Sequence, residues 1–392
     1  MKQRIYMDHT ASMPVDPRVL EAMLPYFAEK YGNPSSVHSW GTEPRKALEN
    51  ARAEIANLIG AKKSEEIFFT SGGTESTNIA IKGVANRNKD RGNHIVTTSI
   101  EHMSVINPCK SLVKQGFEVT FVPVDRYGVV DLQALENAIT DKTTLVSVAY
   151  ANGEIGTIQP IREISEIIHR KGALLHVDAV AACGQIPINV QTDNIDLMSV
   201  SSNDMYGPRG VGALYACTGT RIEPIIQGGG QERGLRSGTE NIPGIVGMGK
   251  AAEIAKAEMR NEGERLASLR DRLTRGVLKS VPASFLNGHP SKRLPNNANL
   301  RFSYIEGESL ILSLDMQGIA CSSGSACTSK TLEPSHVLLA IGLKHEDAHG
   351  SLLFTLGRQN TQEDVDHVVN ALPDIVKRLR AISPLTPKEM LQ

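Results

Sequence analysis

Four short segments of this 392-residue chain carry side chains that could do chemistry. Ser71-Gly-Gly-Thr-Glu-Ser76 follows an apolar run and opens a helical one. Its two glycines, Gly72 and Gly73, let backbone approach a ligand, and the free N–H groups at a positive helix end favour an anion such as phosphate. The same residues also read as a plain turn with Thr74 as the helix N-cap. Asp178 ends the apolar run Ala173 to Val177, so its carboxylate sits at the carboxyl edge of a strand, where open α/β sheets bind ligands and where an acid can pair with a protonated pyridine nitrogen. Capping the small-residue segment that follows is the equally simple reading. His102, in Ile-Glu-His-Met-Ser, ends another strand and could stack on a planar ring or exchange protons, or serve only structure. Cys327, in Cys-Ser-Ser-Gly-Ser-Ala-Cys-Thr-Ser, lies among small residues that let a thiolate be exposed, which suits sulfur transfer or metal ligation. Cys109, Cys183, Cys217 and Cys321 sit in apolar or helical runs and read as small buried hydrophobes.

Those residues need elements to hold them. From residue 66 the pattern alternates, with strands at 66–70, 94–98, 117–122, 144–149, 173–177, 196–200 and 211–215 and helices at 74–88, 104–115, 131–139 and 160–171. Continuous apolar strands separated by helices predict a mostly parallel sheet covered on both faces. Helices are also predicted from Asp16 to Tyr26 and over 42–59. A long helix from about Pro243 to Ser280 leads to a smaller α+β unit, with strands near 296–303 and 318–321 and helices near 307–316, 334–341 and 361–380. The formal net charge of -1 offers no basic field for nucleic acid, and 40% hydrophobic content supports more than one core. Apolar runs such as Gly172 to Cys183 are broken by His176 and Asp178, so no membrane span is predicted. The opening residues lack the apolar stretch of a signal peptide, and five cysteines without a Cys-x-x-Cys pair fit a reducing compartment, which together predict a cytoplasmic protein.

The order and wording of these motifs resemble the cysteine desulfurases of iron–sulfur cluster assembly over essentially the whole chain. The resemblance rests on Gly32-Asn-Pro-Ser-Ser, Ser71-Gly-Gly-Thr-Glu-Ser, Tyr206-Gly-Pro-Arg-Gly-Val-Gly-Ala-Leu-Tyr, Arg236-Ser-Gly-Thr, Ser322-Ser-Gly-Ser-Ala-Cys-Thr-Ser and the spacing of Asp178 from Asp204. It implies a fold-type I transferase dependent on pyridoxal phosphate (PLP). The expected architecture is a mostly parallel seven-stranded sheet in a large α/β domain (residues 14–257) and a smaller α+β domain (1–13 and 258–392). It also implies a homodimer, a scaffold protein as partner and Cys327 as the persulfide-carrying cysteine. Gly73 and Thr74, His102, Asp178, Ser201 and Thr239 match cofactor-binding positions, Thr239 being donated from the other subunit.

Five positions depart from the family pattern. Gly153 replaces an asparagine and Ala181 a glutamine that contact the ring hydroxyl, and Asn203 replaces a phosphate-binding histidine. Leu353 stands where an arginine would bind the substrate carboxylate. Most consequential is Asp204, which occupies the place of the Schiff-base lysine. Without that amine there is no imine and no amine base, and a carboxylate there repels Asp178 and a phosphate. The expectation is therefore a desulfurase homologue with PLP held non-covalently at best. Cys327 would take up sulfide or persulfide, or ligate a [2Fe-2S] cluster shared with the scaffold. The alternative expectation is a working enzyme that converts L-cysteine to L-alanine and a Cys327 persulfide with loosely held PLP.

Overall fold

The computed structural model describes residues 4–324 and 334–390. Its strands are β1 (Ile5–Tyr6), β2 (Ile67–Thr70), β3 (His94–Thr98), β4 (Glu118–Val122), β5 (Thr143–Ala149), β6 (Leu174–Asp178), β7 (Leu197–Ser201), β8 (Gly212–Ala216), β9 (Ser284–Leu286), β10 (Asn297–Phe302), β11 (Ile319–Ala320) and β12 (Ser351–Thr355). Seven of them form one sheet in the order β2-β8-β7-β6-β5-β3-β4. β8 runs antiparallel to both its neighbours and the other pairings are parallel, as the alternating pattern predicted. Every residue of β3 and β5 is buried, which is why these strands read as unbroken apolar or β-branched runs rather than alternating ones. Polar residues survive there only with partners. His176 lies between the hydroxyls of Ser147 at 2.8 Å and Ser199 at 2.9 Å, and burial pushes its pKa down to about 3, so the ring is neutral.

The helix Ile242–Ser280 joins two cores. Its first half buries Ile245, Met248, Ala252 and Ala255 with the large sheet, and its second half buries Leu266, Leu269, Leu273 and Val277 with the smaller unit. Asn241 caps its start by accepting from the Gly244 amide at 3.2 Å. Close approach to the helix Ser39–Ile59 depends on Gly249, since a Cβ there would lie 2.6 Å from Ala51 Cα.

The structure differs from expectation in three places, the first two in the smaller unit and the last in the large domain. The smaller unit's sheet has the order β12-β10-β9, and neither β9 nor β12 was predicted. The strand expected near 318–321 shrinks to β11 and pairs in parallel with β1 of the N-terminal arm. The helix expected from Asp16 to Tyr26 divides into Pro17–Met23 and Pro25–Ala28, since Pro25 has no N–H to continue the first. Among the described residues no helix is long and apolar enough to cross a membrane.

Candidate functional site

The carboxyl ends of β5, β6 and β7 and the turn after β3 open on one cavity of about 320 Å³, whose lining also includes Asp8, Ser322, Leu353 and His336. Gly73 and Thr74 reach it from the first turn of the helix Gly73–Arg87. The N-cap of that helix is Gly72, not Thr74, whose side chain is exposed. A Cβ on Gly73 would overlap Val180 Cγ2, so only glycine lets this turn come so close to the segment after β6.

Asp178 is the last residue of β6. Its Oδ1 accepts from the Val180 amide at 3.0 Å, so it does cap a turn, yet it also lines the cavity, and both readings of this acid hold. Burial raises its pKa, against opposing hydrogen bonds. His102 is the N-cap of the helix Met103–Val113, its Nδ1 accepting from the Ser104 amide at 3.1 Å, and its ring lines the cavity too. Ser201 ends β7 and hydrogen-bonds Asp204, which sits in the single turn Asn203–Met205. Burial, helped by the charge of Asp178, pushes the Asp204 carboxyl up to about 7.

Gly153, Ala181 and Leu353 also line the cavity, presenting no polar side chain to it. Asn203 and Thr239 do not line it. Asn203 has a buried Oδ1 without a partner, and Thr239 is exposed. Cys327 lies outside the described residues, but Gly324 and Ser335 on either side of that segment line the cavity. Cys109, Cys183 and Cys321 are buried as expected, with thiol pKa values pushed up to about 12 by burial, whereas Cys217 is only partly buried.

Sequence reasoning missed Asp8, Glu101, Glu154 and His336. Glu101 is fully buried, and its Oε1 accepts from Thr98 Oγ1 at 2.6 Å and the Ala149 amide at 3.1 Å. Burial, reinforced by Asp178, pushes it up to about 8, and burial pushes Glu154 up to about 7. The available signal was a carboxylate beside an apolar strand end, in Ile-Glu-His and Asn-Gly-Glu-Ile. His336 Nε2 meets the Glu101 carbonyl at 2.9 Å, a contact that no local pattern announces.

The Gly73–Thr74 turn with Ser201 suits a phosphate, because it combines open backbone amides with hydroxyls. Asp204, hydrogen-bonded to Ser201, stands where an imine would require a lysine, and no lysine or arginine lines the cavity among the described residues. These residues do not fit PLP bound through a Schiff base.

A family model, aminotransferase class-V, matches residues 5–368. The cysteine desulfurase IscS 1 of Archaeoglobus fulgidus is 60% identical over 380 residues, covering 97% of this chain and 99% of that protein. The cysteine desulfurase IscS of Methanosarcina thermophila is 55% identical over 385 residues, covering 98% and 95%. Among solved structures, a NifS-like protein superposes with a TM-score of 0.90 at 40% identity, covering 96% of this chain and all of that one. By its fold, its motifs and these likenesses, the chain belongs to the class-V aminotransferase family, among the cysteine desulfurases.

Proposed function

We propose that this protein serves iron–sulfur cluster assembly as a homodimeric, cytoplasmic partner of a scaffold protein, and that it does so without Schiff-base chemistry. One observation carries the reading: Asp204, not an amine, lines the cavity next to Ser201 and within the field of Asp178. Cysteine desulfurases as a family depend on PLP, and in this chain any PLP would be held non-covalently through Gly73, Thr74 and Ser201. Cys327 then becomes the chemical centre, either accepting a sulfane sulfur from an external persulfide, whose thiolate departs, or lending a thiolate to a [2Fe-2S] cluster shared with the scaffold. The dimer is supported by Thr239, exposed and outside its own chain's cavity, and by large apolar side chains left exposed between residues 27 and 40, Phe27 at 62%, Val37 at 99% and Trp40 at 60%.

A second reading is favoured by the relatives, which carry the name cysteine desulfurase at 60% and 55% identity. It is a working enzyme that releases L-alanine from L-cysteine with loosely held PLP. Purified protein given PLP and L-cysteine decides between the two. We expect no alanine from the wild type and aldimine absorbance only in Asp204→Lys; alanine formed by the wild type and lost in Cys327→Ser establishes the second reading. Iron retained with the scaffold complex, compared between wild type and Cys327→Ser, tests ligation, and equal iron in both removes it.

A further inference from the structure

Ser104 hydrogen-bonds two cavity residues that stand on different elements. Its Oγ lies 2.8 Å from His102 Nδ1, and its amide donates to the same nitrogen at 3.1 Å. The hydroxyl also hydrogen-bonds the Asp178 carboxyl at the end of β6. All three residues line the cavity. A nitrogen that accepts from an amide carries no proton of its own, so neutral His102 is the Nε2–H tautomer. A serine hydroxyl has one hydrogen to give. If that hydrogen goes to Nδ1, the bond between Ser104 and Asp178 needs a protonated carboxyl as its donor. If it goes to an ionised Asp178, an oxygen lone pair faces the lone pair of Nδ1, and only a proton on Nδ1, taken at the expense of the amide, repairs the contact. Both bonds therefore hold with one added proton, on the carboxyl or on the ring, and one of them fails without it.

We infer that Ser104 is a positioning residue that joins Asp178 and His102 into one proton-sharing unit on the cavity wall, so that a change of charge at Asp178 is passed to the ring of His102. The helix does not need a serine there, since its cap is His102. Burial raises the Asp178 carboxyl, which agrees with a carboxyl that keeps the shared proton. Other titratable groups face the unit. Glu101, from the turn after β3, and Asp204, from the turn after β7, lie within the field of Asp178. His336 lies within the fields of His102 and Lys110, and Asp8 and Glu154 share the cavity wall. None of these six hydrogen-bonds Ser104 among the described residues, so they act on the unit by charge alone while the hydroxyl is its bonded link. The unit belongs to one chain's own walls and is independent of both readings of what occupies the cavity.

A pH titration of the protein as isolated, labelled at aspartate Cγ and histidine nitrogen and followed by NMR, tests the link, with Asp178→Asn and His102→Gln identifying the two signals. In the wild type the His102 Nδ1 signal is expected to step where Asp178 titrates. Ser104→Ala removes a donor to the ionised carboxylate, so the Asp178 midpoint should rise by about one pH unit, the worth of one charged hydrogen bond. The Nδ1 step at the Asp178 midpoint should vanish in the same variant, although the charge of Asp178 is still present. Ser104→Thr keeps a hydroxyl and should restore both the midpoint and the step. Ser104→Cys, whose thiol is a weak donor, gives the same readout as Ser104→Ala if that variant does not fold. An Nδ1 step of wild-type size without the hydroxyl shows that charge alone couples the two residues and overturns the inference. So does an Asp178 midpoint left in place by Ser104→Ala, or a neutral His102 that carries its proton on Nδ1.

Discussion

Glu101→Gln should make the protein's stability less dependent on pH. In the folded protein this carboxyl is raised from 4.5 to about 8 because it is removed from water beside Asp178. A group that holds its proton more tightly folded than unfolded stabilises the fold fully below the unfolded value. That contribution shrinks as pH climbs from about 4.5 and is gone above about 8. At about 1.4 kcal/mol for each pH unit between the two values, the loss comes to about 5 kcal/mol. Glutamine stays neutral at every pH and keeps an oxygen for Thr98 and Ala149, so the variant should match the wild type near pH 5 and exceed it by up to this amount near pH 9. For a chain of this length, at about 2 cal/mol/K per residue, each kcal/mol moves the midpoint by about 1 °C, so the curves should part by about 5 °C. Scanning calorimetry at one heating rate from pH 5 to 9 reads this directly. Parallel curves, with the same gap at both ends, would refute the claim that Glu101 is held protonated by its surroundings.

Two further predictions concern the framework. Glu232 is buried against Arg52, accepting from its Nη1 at 2.7 Å and Nη2 at 2.9 Å and from the Phe69 amide at 2.9 Å. Glu232→Gln leaves a buried guanidinium short of a counter-charge and should cost about 3 to 5 kcal/mol, seen as a midpoint lowered by about 3 to 6 °C; a loss below about 1 °C would mean that Glu49, whose carboxylate lies 3.2 Å from Arg52 Nε, suffices. Gly73→Val forces the helix start away from Val180 and should destabilise by about 1 to 3 kcal/mol in denaturant titration, while Gly116→Val, where open space surrounds the glycine, tests backbone strain alone.

The large sheet was legible because its strands are continuous apolar runs and its helices short amphipathic ones, and Asp178 and Asp204 could be placed because they follow such strands. The acid-lined cavity was not legible as a whole. Asp8, Glu101, Glu154 and Asp204 come from four distant parts of the chain, and only the sheet's topology brings them together. The strand β12 was missed for a different reason. Ser351 to Thr355 is buried at every residue and pairs with β10 from Asn297 to Arg301, but the run is short and follows a polar helix, so its period says little. Thr74 was offered as an N-cap because its residue type is right, whereas the left-handed φ of Gly72 puts the cap two residues earlier.

The pairing of β1 with β11 ties the order of synthesis to the order of assembly. Ile5 and Tyr6 leave the ribosome well ahead of their partners Ile319 and Ala320, which follow some three hundred residues later. At about 5 to 20 residues per second, the arm waits roughly 15 to 60 seconds for its strand partner. Asp8, two residues beyond that strand, cannot take its place in the cavity wall until then, so a nascent chain with a finished large sheet still has an open site.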